Sequence, residues 1–234
     1  MIAEVNAITK ATPAITERYF AKNVREGHNL GFGWRSRELA VYGGYTSVYA
    51  TFYYRNDSLV SYVIQPNLPN EPTLKKAYIT WYAPSFRVNP GRLNPFYFNK
   101  AVLSKPLPAY QKLYTVQAAS QAIINYMSPE SGVVYGYAGG ESPQILENRA
   151  SFINIQNNLP LEQVILLMYA SNPASRLTAI EYYLKNKKLF SNQARIEQWI
   201  ETVLQELPEV ESLQGCIGGK YNARELVGMF TETK

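Results

Sequence analysis

Residues 161–184, LEQVILLMYASNPASRLTAIEYYL, constrain the fold more than any other stretch. The run Val164-Ile165-Leu166-Leu167-Met168-Tyr169 is apolar on every side of a helical wheel, so a helix here has to be buried nearly all round. Ser171-Asn172-Pro173 interrupts it. Leu177, Ile180, Tyr183 and Leu184 then return at helical spacing. The segment predicts two antiparallel helices around a tight corner. The first is expected to be a central strut, packed by the helix before it and by the helix after the pair. Arg176, near the start of the second helix, is expected to satisfy a helix end or a neighbouring carboxylate and not to contact a ligand.

The flanking sequence is also helical. Leu113, Val116, Ser120, Ile123 and Met127 share one face over 109–127, and Ser128-Pro129 closes that segment. Leu146, Ala150 and Ile153 predict a helix over 143–157. Lys185-Asn186-Lys187-Lys188 is a basic helix end, which suits the negative end of the dipole. Ser191 or Asn192 can cap the next helix. That helix is the clearest amphipath, with Ile196, Trp199, Ile200, Val203, Leu204 and Leu207 in register until Pro208. Leu226, Val227, Met229 and Phe230 predict a last short helix. Val133-Val134-Tyr135 reads as a small strand in a glycine-rich stretch.

The N-terminal half has two periods. Thr12-Pro13 opens a short amphipathic helix with Ile15, Tyr19, Phe20 and Val24 on one face, and Gly27 and Gly31-Phe32-Gly33 end it in a loop. From residue 37 the period becomes two. Val48, Ala50, Phe52 and Tyr54 alternate with Tyr49, Thr51 and Tyr53. Asn56-Asp57 then turns into Leu59–Ile64, a strong hairpin signal. Ala77–Tyr82 reads as a third strand after a break at Pro66, Pro69 and Pro72, and Glu38–Tyr42 as a fourth. Such a meander needs a layer packed on one face.

Residues 83–108 carry Pro84, Pro90, Pro95, Pro106 and Pro108 and read as loop. Within and just before this stretch, cationic and aromatic residues interleave: Trp81, Tyr82, Arg87, Arg92, Phe96 and Tyr97, with Phe98 and Lys100 beyond. Aromatic faces with guanidinium groups stack on sugars, bases or Pro-rich peptides, so these six residues are the candidate ligand-binding set. The plainer alternative is that the aromatics anchor an extended loop.

Composition removes several chemistries. The single cysteine, Cys216, excludes an intrachain disulfide framework and a cysteine metal site, and the single His28 excludes a multi-histidine one. No cofactor and no metal is expected. Gly215-Cys216-Ile217-Gly218-Gly219-Lys220 is not a phosphate-binding loop, because the glycine spacing is short and Tyr221 stands where Ser or Thr would hold the metal. Gly139-Gly140 in YAGGES likewise reads as a turn. A Cys216–His28 pair has no surrounding hydrolase motif, and a serine triad has no nucleophile elbow. Paired carboxylates leave no local signature; Glu38, Asp57 and Glu141 sit near sheet or loops with nothing to favour one of them. The net charge of +5 is spread along the chain, which argues against a nucleic-acid stripe. No stretch reaches the roughly 18 apolar residues of a membrane span, and the first residues do not form a signal peptide. A cytoplasmic location is expected, or a periplasmic or extracellular one if a leader has been removed. The 19 Tyr suit half-buried sheets and wet binding faces alike.

The Leu161–Leu184 unit resembles a HEAT-type helical repeat. Asn172 and Pro173 hold the turn, Arg176 sits near the start of the second helix, and Ala179, Ile180 and Leu184 follow. No second copy appears at a period of about 35 to 45 residues. The resemblance implies a helical packing mode and a protein-binding role, and no chemistry. The expected fold is α+β: an N-terminal antiparallel β-meander with a helix (1–107), and a C-terminal α-helical bundle or HEAT-like layer (108–234), as two domains or one. The seam would lie at Pro106–Pro108 or Gly139-Gly140. The expected function is that of a non-enzymatic binding or protein-interaction protein, of the kind found in a bacterial envelope. Its partner would be another protein or a glycan. The alternatives are a glycan-acting hydrolase with paired carboxylates and, last, a nucleic-acid-binding protein.

Overall fold

A computed structural model of the protein describes residues 13–21, 24–43, 46–67, 69–82, 94–98, 121–140, 144–207 and 209–232. The fold is α+β. The chain divides into two compact units: Met1–Asn29 with Gly33–Leu103, and Leu30–Phe32 with Ser104–Lys234.

The first unit is built on a five-stranded sheet in the order β1 (Val24–Gly31), β2 (Trp34–Gly43), β3 (Thr46–Arg55), β4 (Ser58–Asn67), β5 (Asn94–Phe98). β2, β3, β4 and β5 pair antiparallel in sequence order. The hairpin signal is realised at Asn56-Asp57, where both residues take positive φ (46° and 62°), as a two-residue turn joining twisted strands requires. The period-two pattern places Leu39, Ala50 and Ile64 in one cross-strand row and Phe52 and Tyr62 in the next. These residues, with Val48, Tyr54 and Phe20, form the unit's core. Phe20 comes from α1 (Pro13–Phe20), and the Phe52 ring stacks on Tyr62 at 5.0 Å between centroids. Glu17 on α1 accepts from the Tyr54 hydroxyl and from Arg37, tying helix to sheet.

Four expectations change in this unit. Ala77–Tyr82 is not a strand; it is the second half of α2 (Pro72–Tyr82). Glu71 accepts from the backbone N–H groups of Thr73 and Leu74 at 2.9 and 2.6 Å, and Pro72 occupies the first helical position. The cap and the proline start a helix that the β-branched and aromatic residues then continue. The loop expected at Gly27 and Gly31 is strand β1; its burial alternates, with His28 and Leu30 in and Gly27 and Asn29 out, but a histidine replaces one apolar signal. The first helix accordingly stops at Phe20, before Val24. Part of the expected 83–108 loop is strand β5, which accepts Pro95 because it is an edge strand.

The second unit is helical. Its elements are α3 (Gln121–Met127), α4 (Glu147–Gln156), α5 (Leu161–Leu167), α6 (Pro173–Lys185), α7 (Gln193–Glu206) and α8 (Ala223–Glu232), with β6 (Ala138–Gly139), β7 (Gln144–Ile145), β8 (Glu209–Gln214) and β9 (Ile217–Asn222). The corner behaves as read from the sequence. Asn172 caps α6 by accepting from the N–H groups of Ala174 and Ser175, while its amide donates to the carbonyls of Ser128 and Gly132. The strut, however, is α6 more than α5. α6 packs against α4, α5 and α8, and every residue from Pro173 to Glu181 is buried. Ala174, Ser175 and Ala179 are small enough to let the neighbours close in, and the polar residues among them are hydrogen-bonded. Asn148 Nδ2 donates to Ser175 Oγ at 2.9 Å, and Tyr126 OH donates to Asn148 Oδ1 at 3.1 Å.

The glycine-rich stretch after α3 has a structural cause. Tyr135 and Gly139 run parallel to β8, bridging Ser212 and Gly215. A Cβ on Gly139 would lie 2.5 Å from Leu213 Cγ, so this backbone approach admits only glycine. Tyr135 therefore makes a single bridge, not the small strand expected over Val133–Tyr135, and the helix expected from residue 143 begins at Glu147 after β7. Of the helix expected over 109–127, the described part is Gln121–Met127. Asn192 occupies the cap of α7 in a left-handed conformation and makes no side-chain capping bond. The tail expected to hold only a short helix also contains the β8–β9 hairpin.

Candidate interaction site

Of the ligand-binding set proposed from the sequence, four residues are described by their backbone. Trp81 and Tyr82 close the last turn of α2. Phe96 and Tyr97 lie on β5, with Tyr97 opposite Tyr62 and Phe96 at the register shift between Pro95 and Tyr97. Arg87 and Arg92 lie outside the described residues. Of the carboxylates named, Glu38 lies 3.9 Å from His28, Asp57 pairs with Arg35 at 3.0 Å, and Glu141 lies outside the described residues. No group of three His, Cys, Asp or Glu able to hold a metal occurs among the described residues, and none of their helices is long and apolar enough to cross a membrane.

Two polar constellations in the second unit attract attention, and both serve the fold. In the first, Arg149 Nη2 donates to Glu181 Oε2 at 2.6 Å, Lys185 donates to Oε1 at 2.9 Å, and Tyr135 OH donates to Oε2 at 3.1 Å. Burial raises the Glu181 pKa, but the hydrogen bonds and charges of Arg149 and Lys185 outweigh it, and the net shift is downward. A carboxylate depressed in the folded state stabilises the fold above its ordinary value and loses that contribution as pH falls. The stability gap between the wild type and Glu181→Gln is therefore expected to be full near neutrality and to shrink below pH 4.5, the ordinary glutamate value. Urea titrations at several pH values measure it.

In the second constellation, Arg176 is fully buried. Its Nε donates to Ala170 O at 2.5 Å, and Nη2 donates to Leu30 O at 2.8 Å and Ser171 O at 3.2 Å. The guanidinium lies over Phe32, 4.6 Å from the ring centroid. Phe32 stacks on Trp199 at 5.9 Å, and Trp199 on Tyr169 at 4.2 Å. Burial lowers the Arg176 pKa to about 9, and Glu206 offsets part of the effect. The reading of Arg176 as a partner for backbone at a helix end holds: two of its acceptors belong to the corner before α6.

What remains open is a backbone edge. Gln214 pairs with Ile217 around Gly215-Cys216, a two-residue loop with Gly215 at φ 58°, and β8 and β9 then pair through Glu209 and Asn222. Asn222 accepts from the N–H of Arg224 at 2.9 Å and so starts α8. β9 is thus delimited by a turn and a cap. On the far side of β8, Tyr135 N–H donates to Glu211 O and Leu213 N–H donates to Tyr135 O, at 2.8 and 3.1 Å. Glu211 and Leu213 therefore direct their backbone groups away from β9. Their opposite residues, Lys220 and Gly218, form the non-hydrogen-bonded pairs of the hairpin. It follows that Gly218 and Lys220 turn their own N–H and C=O groups outward, away from β8.

This outer edge is exposed. Among the described residues no strand pairs with it, and Ile217 is 70% exposed and Tyr221 37%. Gly218 and Gly219 leave the backbone bare, with the Tyr221 ring beside Gly219. The usual protections of an edge are nearly absent: there is no proline or bulge, and one lysine, Lys220. Sequence reasoning missed this strand because Gly218-Gly219 reads as a breaker. The available signal was the pair of six-residue segments on either side of Gly215-Cys216.

Compared with known protein families, with curated proteins and with solved structures, the chain matches none.

Proposed function

We propose that the protein is a non-enzymatic interaction protein whose second unit takes an extended segment of polypeptide along the outer edge of β9. The observation that supports this most is the outward set of backbone groups at Gly218 and Lys220 on a strand that is exposed along nearly its whole length. Strand addition draws affinity from such main-chain groups and specificity from alternate side chains. On the face that Ile217 and Tyr221 share, only Gly219 lies between them, with the Tyr221 ring beside it, so an incoming segment meets two large apolar side chains there. We also read the α5–α6 pair as HEAT-like in its packing, supported by the Asn172-Pro173 corner; it supplies the rigid support for the hairpin and adds no chemistry.

A displayed library of random peptides, selected on the whole protein, tests the proposal. Selected peptides are expected to be extended and apolar at alternate positions. Lys220→Pro removes one outward N–H without touching the ladder to β8. A main-chain hydrogen bond contributes about 1 kcal/mol, and the ring adds a steric block, so binding should weaken by about tenfold or more. Ile217→Lys should weaken it through the side chain. Peptides that bind the two variants as tightly as the wild type would overturn the proposal.

A further inference from the structure

Resting on the open-edge reading, we infer that the segment that fits this edge is β9 of a second copy of the chain, paired antiparallel about a two-fold axis at Gly219. The register follows from which residues face outward. Directly opposed residues in a hydrogen-bonded antiparallel pair must both present their backbone groups to each other. With Gly218 and Lys220 outward, a two-fold axis at Gly219 sets Gly218 against Lys220 of the other copy, twice, giving four main-chain hydrogen bonds. Gly219 then faces its own counterpart in a close, non-hydrogen-bonded pair with no side chain between. Ile217 falls opposite the other copy's Tyr221, again twice, and the most exposed large apolar residue of the hairpin is covered by an aromatic ring.

Neighbouring registers are poorer. An axis at Lys220 puts the two lysines directly opposite each other, a destabilising like-charge pair. An axis at Gly218 runs the strand into the Gly215-Cys216 turn of the other copy, and an axis at Tyr221 runs it into the start of the other copy's α8. In the favoured register Lys220 meets a glycine, while Glu211 sits opposite it within its own hairpin. The Tyr221 ring lies beside Gly219, the residue on the axis. The contact is isologous, so it closes at two copies and does not propagate. The product is a four-stranded sheet in the order β8-β9-β9-β8.

Light scattering over a concentration series tests the pairing on the whole protein. The wild type is expected to move from one to two copies with concentration. Ile217→Lys and Lys220→Pro are expected to stay at one copy, with unchanged far-ultraviolet circular dichroism. In a Cys216→Ser background, Gly219→Cys should form an interchain disulfide under mild oxidation, whereas Lys220→Cys, which faces a glycine, should not. A chain that stays monomeric at every concentration, or a Lys220→Cys variant that links as readily as Gly219→Cys, would overturn the second-copy inference. If selected peptides still depend on Lys220 and Ile217 in that case, the open-edge reading survives it. If they do not, both fall.

Discussion

Arg149→Ala is expected to destabilise the second unit by about 3–5 kcal/mol, the usual consequence of leaving a buried charge without its partner. The change removes the 2.6 Å bond to Glu181 and the 3.1 Å bond from Nε to the Gly136 carbonyl. Glu181 would keep Lys185 and the Tyr135 hydroxyl, but Lys185 is largely solvated and a hydroxyl carries no charge. Burial itself opposes the ionised form of Glu181, so its carboxyl should titrate higher in Arg149→Ala than in the wild type. Arg149→Met with Glu181→Leu should be less destabilising than Arg149→Ala alone, because an apolar pair of similar volume leaves no buried charge uncompensated. Urea unfolding of the wild type and the two variants measures this. A loss below about 1 kcal/mol for Arg149→Ala would show the pair to be peripheral.

Arg176→Ala should be comparably severe, and Arg176→Lys nearly as severe. The guanidinium supplies three donor contacts to the carbonyls of Ala170, Leu30 and Ser171 and presents a flat face to Phe32. A buried acceptor left without a donor costs about 1–3 kcal/mol. With the lost stacking and partial relaxation, roughly 3–5 kcal/mol in total is a reasonable scale. An ammonium group is a point charge that cannot reproduce the planar fork or the stacking. The chain packs closely here: Gly31 is at φ 74°, and a Cβ there would sit 2.6 Å from Leu207 Cδ2. Phe32 lies against Trp199, so the fluorescence of that indole should shift before global unfolding in Arg176→Lys. If Arg176→Ala kept full stability but lost peptide binding, the guanidinium would belong to a binding surface and not to the helix corner.

The parts of the fold that were legible in the sequence are those set by short-range rules. The alternation through Val48–Tyr54 and the left-handed pair Asn56-Asp57 define a hairpin by themselves. Asn172-Pro173 defines the corner, and the spacing from Ile196 to Leu204 defines α7. The misreadings occurred where one residue outweighed a run. Glu71 and Pro72 initiate a helix, although Tyr78-Ile79-Thr80-Trp81-Tyr82 resembles a strand. His28 occupies a buried strand position where the eye expects an apolar residue. The candidate site was not legible, because an edge is a long-range property. Which side of β9 is free depends on Tyr135 reaching Glu211 and Leu213 across β8, and nothing near Ile217–Asn222 encodes that pairing. The glycines carried the trace: Gly139 and Gly218 both lie close against the Leu213 side chain, and Gly219 lies beside the Tyr221 ring.

Amide hydrogen exchange along β9 is the most direct measurement of the edge. In dilute protein, Gly219 and Tyr221 should be protected by their bonds to β8, while Gly218 and Lys220 exchange freely. With a selected peptide or a second copy bound, Gly218 and Lys220 should become protected and the other two should change little. Equal protection of all four amides in dilute protein, or free exchange at Gly218 and Lys220 under saturating conditions, would contradict the assignment of this edge as the interaction surface.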